Sequence, residues 1–340
     1  MRINLPRDLD TSKSLAFADL LSTIPKEEEI TFYPQFKWAR PFGMLITMTA
    51  MRQMRKKYAD TPFYLNSVLG PAGSYAGYMG FFKGISDVIP IGNVPGSVSG
   101  NDRYMPITKI SMKELRQLSI SQGYYEEDGE ILERKAKGLS EILVNGNKEL
   151  MSLFTHAIRE MLRNVPEHSG ADDIWICGQS WPQNHTAEIA VLDEGMGITQ
   201  SLIHNAFYSA LIRNDEDALK FSILPGVSQS FSPGRQKTDL SGWGNSGFGL
   251  YVLSELCERL NGSFCIASGN RYLQKEKGII RVGPTYLKGT AVRILIDTTH
   301  FDSFRKINTD IIKTGESIAK KNANAIHRAS RPSRGLMIEE

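Results

Sequence analysis

Cysteine is scarce in this chain, and neither sign of charge dominates it. The 340 residues include three cysteines without any C-x-x-C spacing, which disfavours both a disulfide framework and a zinc knuckle. A reducing cytoplasm is therefore the expected compartment. Forty Lys and Arg face 37 Asp and Glu, for a net charge of +3. So small an excess does not require nucleic acid or an anionic membrane as a partner.

Long apolar runs are also missing. The longest, within residues 42–51, is too short and too polar to cross a bilayer, and the first ten residues lack the apolar core of a signal peptide. With 41% hydrophobic and 23% charged residues, the composition is that of a globular protein rather than a disordered or fibrous one. We expect a soluble protein with two domains or one large one.

The first part of the chain, residues 1–95, alternates between short β-like runs and helical runs. Strands are predicted at 3–6, 29–33 and 61–68, and helices at 13–24 and 42–58. This rhythm predicts a small α/β domain. Residues 96–144 are irregular and rich in turn formers near their start, which predicts a linker or connecting lobe.

A stronger pattern begins at residue 149. Apolar residues recur every three or four positions over 149–165, as one face of a helix requires. A second helix is predicted at 248–260, and strands at 174–177, 187–192, 263–267, 279–282 and 291–296. Helices over a largely antiparallel or mixed sheet predict an α/β sandwich over residues 145–300. Residues 301–340 are predicted to be a basic tail.

The first candidate functional element is the pair Glu160 and Asn164 in the first of these helices. Four residues apart, they lie one above the other at the border of the apolar face. An amide oxygen can ligate Mg²⁺, and a carboxylate one turn away can position or deprotonate a water. Taken alone, the pair also fits a solvated Glu and an exposed Asn near a helix end. His156, one turn earlier, is interpreted as a surface histidine.

Three further elements follow along the chain. Asp193 ends a strand in VLDEGMGI, where its carboxylate can accept a hydrogen bond from an exocyclic amine. The glycines of GWGNSGFGL, residues 242–250, stand at the start of a helix, where backbone N–H groups favour an anion such as phosphate. Thr290 opens the last strand, where a small hydroxyl can hold a base or a water. A dinucleotide fold is disfavoured because no strand precedes these glycines.

In this order and at these separations, the four elements resemble the N, G1, G2 and G3 boxes of the GHKL superfamily, which includes gyrase, Hsp90, histidine kinases and MutL. The resemblance covers about residues 145–298 and implies the Bergerat ATP-binding fold, a two-layer α/β sandwich, with ATP and Mg²⁺ as ligands. It implies the following roles: Glu160 as catalytic base, Asn164 as Mg²⁺ ligand, Asp193 as acceptor of the adenine amine, Gly195 and Gly197 around the adenine, Gly244, Gly247 and Gly249 around the phosphates, and Thr290 behind the adenine.

The stretch 199–241 corresponds to the ATP lid of this superfamily, and Arg235 and Lys237 are its candidate phosphate contacts. The phrase REMLRNVPEHS resembles the anti-sigma-factor kinase branch most, although Pro166 departs from it and predicts that the helix ends or kinks just after Asn164. Residues 30–33, followed by KWARPFGMLITMTAMRQM at 37–54, resemble part of a STAS-like domain. The loop before Gly43 has no hydroxyl, so this domain is expected to dock or dimerise rather than accept phosphate.

Three functions remain open from the sequence. The leading one is a Mg²⁺-dependent, slow ATPase whose lid closure changes its contacts with a protein partner or a second copy. The others are a protein-serine kinase acting on a separate STAS-type partner, and a nucleotide-gated binding module without turnover. Nucleic acid and membrane are not expected as partners.

Overall fold

The computed structural model describes residues 1–66, 70–121, 128–144, 147–229, 246–299, 303–322, 326, 328–330 and 333–334. Among these residues, no helix combines the length and the apolar character needed to span a membrane. Helices and strands alternate through most of the chain, and two large apolar clusters hold them together.

The N-terminal region is a parallel α/β unit. Its strands are β1 (Arg2–Asn4), β2 (Asp8–Leu9), β3 (Ile30–Tyr33), β4 (Trp38–Ala39) and β5 (Phe63–Leu65), and its helices are α1 (Thr11–Thr23), α2 (Pro41–Lys57), α3 (Pro71–Tyr78) and α4 (Phe81–Ile85). A parallel sheet has the order β1-β3-β5, and β2 pairs in parallel with β4. Asp10 caps α1 by accepting the N–H of Lys13 at 2.8 Å, and Pro41 occupies the first turn of α2, where its missing N–H costs nothing.

The rest of the chain is built on one antiparallel sheet in the order β6-β7-β8-β10-β9. The strands are β6 (Tyr104–Ser111), β7 (Asp173–Trp181), β8 (Thr186–Asp193), β9 (Ser263–Glu276) and β10 (Ile279–Asp297). The helices are α5 (Met112–Ser121), α6 (Asp128–Ser140), α7 (Lys148–Asn164), α8 (Gly197–Ile203), α9 (Ala206–Ser209), α10 (Asp215–Ser222), α11 (Gly249–Arg259) and α12 (Phe304–Lys321). The predicted α/β sandwich is confirmed.

Both faces of this sheet are buried, by different parts of the chain. On β7, Ile174 and Ile176 belong to the core formed with α7 and α11, whereas Trp175 and Cys177 belong to the core formed with the N-terminal region. The alternation follows from the two-residue period of a strand. The N-terminal region therefore adds a third layer, with α2 and α1 packed on the sheet face opposite α7.

Two segments differ from the sequence-based expectation. Within 96–144, where a linker or lobe was predicted, β6 forms the edge of the sheet, and α6 packs against α7. Within the predicted basic tail, α12 buries Phe304, Ile311 and Ile312 in the larger core. The basic residues of α12 lie on its exposed face, and their abundance hides the apolar face when the segment is judged by composition alone.

A buried carboxylate on β8 joins the layers. Glu188, with a side chain 1% exposed, accepts the N–H of Phe42 at 3.0 Å in the first turn of α2. Its other oxygen lies 3.1 Å from Nε of Arg293 on β10, out of line for a hydrogen bond. A negative charge is favourable at a helix N-terminus, and the buried guanidinium and the buried carboxylate each need the other as a partner. Glu188 thus fixes the start of α2 on the sheet.

We expect Glu188→Ala to lower the free energy of unfolding by about 3 to 5 kcal/mol, because Arg293 would remain buried without its carboxylate. Urea unfolding measures this change. The control is Glu276→Ala, which breaks an exposed pair with Arg281 at 3.7 Å and should cost less than about 1 kcal/mol. Similar values for both variants would contradict the assigned role of Glu188.

Candidate functional site

A cleft opens where β8 ends beside Thr290 of β10, between the C-terminal end of α7, the helix α8 and the start of α11. It encloses about 780 Å³ of empty space, its open mouth included. Six of the residues singled out from the sequence line it: Asn164, Asp193, Gly197, Gly247, Gly249 and Thr290. Gly195 and Glu160 lie just behind its wall. Gly244, Arg235 and Lys237 lie outside the described residues.

Asp193, the last residue of β8, stands at one end of the cleft and is 5% exposed. Its Oδ1 accepts the N–H of Gly195 at 2.8 Å, and the Ser169 hydroxyl donates to the same carboxylate. Burial nevertheless raises the pKa of Asp193 to about 6. A side chain at Gly195 would meet the Ser169 carbonyl at 2.3 Å, so only glycine allows this close packing.

The register of β8 against β10 brings Thr290 directly opposite Asp193. Thr290 lies within β10 rather than opening it as predicted, and the bulge between Leu287 and Thr290 is equally tight, because a Cβ on Gly289 (φ +109°) would lie 2.0 Å from the Asp193 carbonyl oxygen. Ser268 closes this end of the cleft by donating to the Gly289 carbonyl at 2.7 Å and accepting the Ile198 N–H at 2.9 Å. Ser169 and Ser268 were not identified from the sequence, since an isolated serine carries no pattern.

The other end of the cleft is formed by the start of α11. The helix begins at Gly249, and no side chain caps it. As at every helix start, its first N–H groups have no acceptor within the helix. Gly247 (φ +69°) packs so closely on Val227 that a Cβ would lie 2.2 Å from the Val227 carbonyl oxygen. The aligned N–H groups and the helix dipole make this end suitable for an anion.

The helix α7 carries Asn164 into the cleft and Glu160 behind it. α7 ends at Asn164 and continues as one π-helical turn, Val165–Ser169, as Pro166 predicts. Glu160 is 5% exposed, and its Oε2 lies behind Gly249, 2.6 Å from where a Cβ on that glycine would be. The simple interpretation of Glu160 as a solvated helix residue is therefore wrong.

Charged groups surround the Glu160 carboxylate. Oε1 lies 3.4 Å from Arg159 and 3.8 Å from Arg163, and the Ser333 hydroxyl approaches Oε2 at 3.4 Å. Burial alone would raise the pKa of Glu160, but Arg163 and Arg159 lower it below its usual value. Glu160 is therefore ionised at neutral pH and only weakly basic.

The prediction of a surface position for His156 is wrong, because its side chain is 1% exposed. Its Nδ1 lies 2.9 Å from Nη2 of Arg159, and its ring contacts Phe304 of α12. Burial lowers the pKa of His156 to about 3, so the ring is neutral. The covering residue belongs to a helix that the sequence-based prediction did not include.

The donor set suits a cation that arrives with phosphate. No group of three or more His, Cys, Asp or Glu capable of holding a metal occurs in the part of the chain that the structure describes. Asn164 supplies one hard amide oxygen in the cleft. Mg²⁺ keeps several waters and is commonly bound by one or two protein oxygens together with substrate phosphates, so the site fits Mg²⁺ in that mode.

Residues 151–300 match the family model described as the histidine kinase-, DNA gyrase B-, and HSP90-like ATPase, while no curated protein matches the chain. A GHKL-type ATPase domain therefore occupies this part of the chain, and it is a domain type that binds ATP. The likeness to the anti-sigma-factor kinase branch, the STAS-like character of the N-terminal region and the roles of the individual site residues stay predictions.

Acidification should weaken ATP binding through Asp193. Below its pKa of about 6, the carboxylate gains a proton and loses charge as a hydrogen-bond acceptor, so affinity should fall about tenfold for each unit of pH further down. Calorimetry from about pH 5 to about pH 8 measures the fall. ATP itself titrates in this range, so the ratio of wild type to Asp193→Asn isolates the carboxylate. A ratio independent of pH would contradict the assignment.

Proposed function

We propose that this protein binds ATP with Mg²⁺ and hydrolyses it slowly, and that closure of the lid predicted at 199–241 changes its contacts with a protein partner or a second copy. The observation that carries the proposal is the single cleft with a buried carboxylate at one end and an uncapped helix start with an amide at the other. Adenine and triphosphate require these two kinds of chemistry at opposite ends of one site.

At the base end, Asp193 accepts a hydrogen bond from the exocyclic amine of adenine. Its carboxylate is already oriented by Gly195 and Ser169, so binding requires little further ordering of this side chain. Gly197 and Thr290 line the cleft beside Asp193 and would bound the ring. An amine donor matches this carboxylate, whereas a carbonyl acceptor at the same position would leave it unpaired.

At the phosphate end, the N–H groups of the first turn of α11 donate to phosphate oxygens. Asn164 is the protein ligand that would hold Mg²⁺, which neutralises phosphate charge when bound. Gly244, Arg235 and Lys237 are proposed as further phosphate contacts on the basis of the sequence alone. The neutral base therefore lies near Asp193, and the charged phosphates lie near the start of α11.

Glu160 is proposed to align and deprotonate the attacking water. Its place one turn before Asn164 and directly behind Gly249 puts a carboxylate next to the phosphate end. Slow turnover follows from its surroundings, because Arg159 and Arg163 reduce its basicity and Ser333 approaches the remaining oxygen. A general base works best when its pKa lies near the working pH, and this carboxylate lies well below it.

Replacing Glu160 with Gln should lower ATP turnover at least about a hundredfold, because the amide cannot accept the proton. ATP affinity should change less than about twofold, since the shape and the cleft are kept. Phosphate release and calorimetry give the two values. The matched control is Glu149→Gln on the same helix, whose carboxylate accepts the Phe304 N–H at 2.7 Å away from the cleft and whose loss should leave turnover unchanged.

The same assay separates the alternatives. Equal turnover in wild type and Glu160→Gln would remove Glu160 from its proposed role. With γ-labelled ATP and candidate partner proteins, label on a partner identifies a kinase, free phosphate identifies an ATPase, and ATP left intact over hours identifies a binding module.

A further inference from the structure

The helix α2 of the N-terminal region lies behind the end of the cleft where the adenine base is proposed to bind. Three of its residues contact the loop that follows Asp193 or the bulge of β10 that precedes Thr290. Gln53 donates its amide N–H to the Lys288 carbonyl at 2.8 Å and accepts the Lys288 backbone N–H at 3.1 Å. The same side chain lies 3.3 Å from an oxygen of Glu194. One amide therefore joins the loop and the bulge.

Arg52, one residue earlier, fixes the loop more firmly. Its Nε and Nη2 lie 3.0 and 2.9 Å from the same oxygen of Glu194, the residue immediately after Asp193. Its Nη1 donates to the Gly84 carbonyl at 2.7 Å, and its guanidinium lies over the Trp175 ring at 4.2 Å. A guanidinium held on three sides cannot follow a moving loop, so it anchors Glu194 to the N-terminal layer.

The loop and the bulge also pack directly against each other. A Cβ on Gly289 would meet the Asp193 carbonyl at 2.0 Å and Cα of Glu194 at 2.7 Å. Neither segment can shift without moving the other, because the space between them admits no additional atom. The position of the Asp193 carboxylate is thus determined by contacts on both sides of the sheet.

We propose that Gln53 and Arg52 are positioning residues of the nucleotide site, through which the N-terminal region sets the affinity for the adenine base. The inference rests on the proposed ATP-binding function. These residues touch no part of the cleft themselves and act through Glu194 and Lys288. ATP binding and the arrangement of α2 are consequently linked, because any movement of α2 displaces the loop and the bulge beside Asp193.

The charged groups near Asp193 lead to a specific expectation for the pKa of Asp193. Glu194 is the neighbouring like charge, and it is balanced by Arg52 and, at 3.6 Å, by the exposed Lys56. His168 of the π-helical turn also lines the cleft, and its Nδ1 lies 3.2 Å from Gln229. Removing Arg52 leaves Glu194 less compensated, and the pKa of Asp193 then rises further.

The first test uses Gln53→Ala, a change at a partly exposed side chain that should preserve folding. Its KM and dissociation constant for ATP should rise about three- to tenfold, because two or three hydrogen bonds to the loop and the bulge are lost. Turnover at saturating ATP should stay within about twofold, since the phosphate end is untouched. The matched control is Lys57→Ala on the same helix, which contacts Ser22 and Tyr58 and neither segment, and should change nothing.

The second test uses Arg52→Gln and the pH profile of ATP binding. The pH at which binding is half lost should move upward relative to wild type, a shift that a purely structural defect would not produce. Unchanged affinity in Gln53→Ala, or reduced turnover with unchanged KM, overturns the proposal, as does an unshifted pH profile in Arg52→Gln. If wild type itself binds no ATP, the proposed function fails and this inference with it, so measuring wild type first separates the two failures.

Discussion

The antiparallel pairing of β8 with β10 is the constraint on which the site depends. It places Thr290 opposite Asp193 and brings Gly289 within contact of the Asp193 carbonyl. A slip of one residue would turn every side chain of β8 to the other face. Asp193 would then leave the cleft, and Glu188 would leave the layer that it stabilises. The same register therefore sets both the site and the packing of the N-terminal region.

That register is strongly specified because neither sheet face meets water in the middle strands. Apolar residues of β7 and β8 alternate between the two cores, so a slipped strand would exchange one buried set for another that does not fit. The exception is the pair Glu188 and Arg293, which are buried among apolar side chains. A buried ion pair tolerates little displacement, so it selects one arrangement of α2 on the sheet.

The sequence was most informative where a pattern is local. Three- and four-residue spacing predicted α7 to within a residue at each end, and Pro166 predicted where it stops. The residues around the cleft were found from the order of four short elements. The environment of Glu160 could not be predicted, because it is created by α6, α12 and Ser333, at separations of 27 to 173 residues from it. Ser169 and Ser268 were missed because their roles depend on contacts across the fold.

The buried charges around Glu160 explain how a carboxylate can stay ionised without water. Arg159 lies within 3.6 Å of Glu133 and 3.4 Å of Glu160, and His156 beside it is neutral. Glu133 and Glu160 thus balance the charges of Arg159 and Arg163, so the four side chains are buried together with little net charge. The same charge balance makes Glu160 a weaker base, since a carboxylate stabilised by two guanidinium groups is a poor proton acceptor. In the proposed reaction, burial and balance favour long-lived bound ATP over rapid turnover, which is the behaviour that a nucleotide-controlled contact requires.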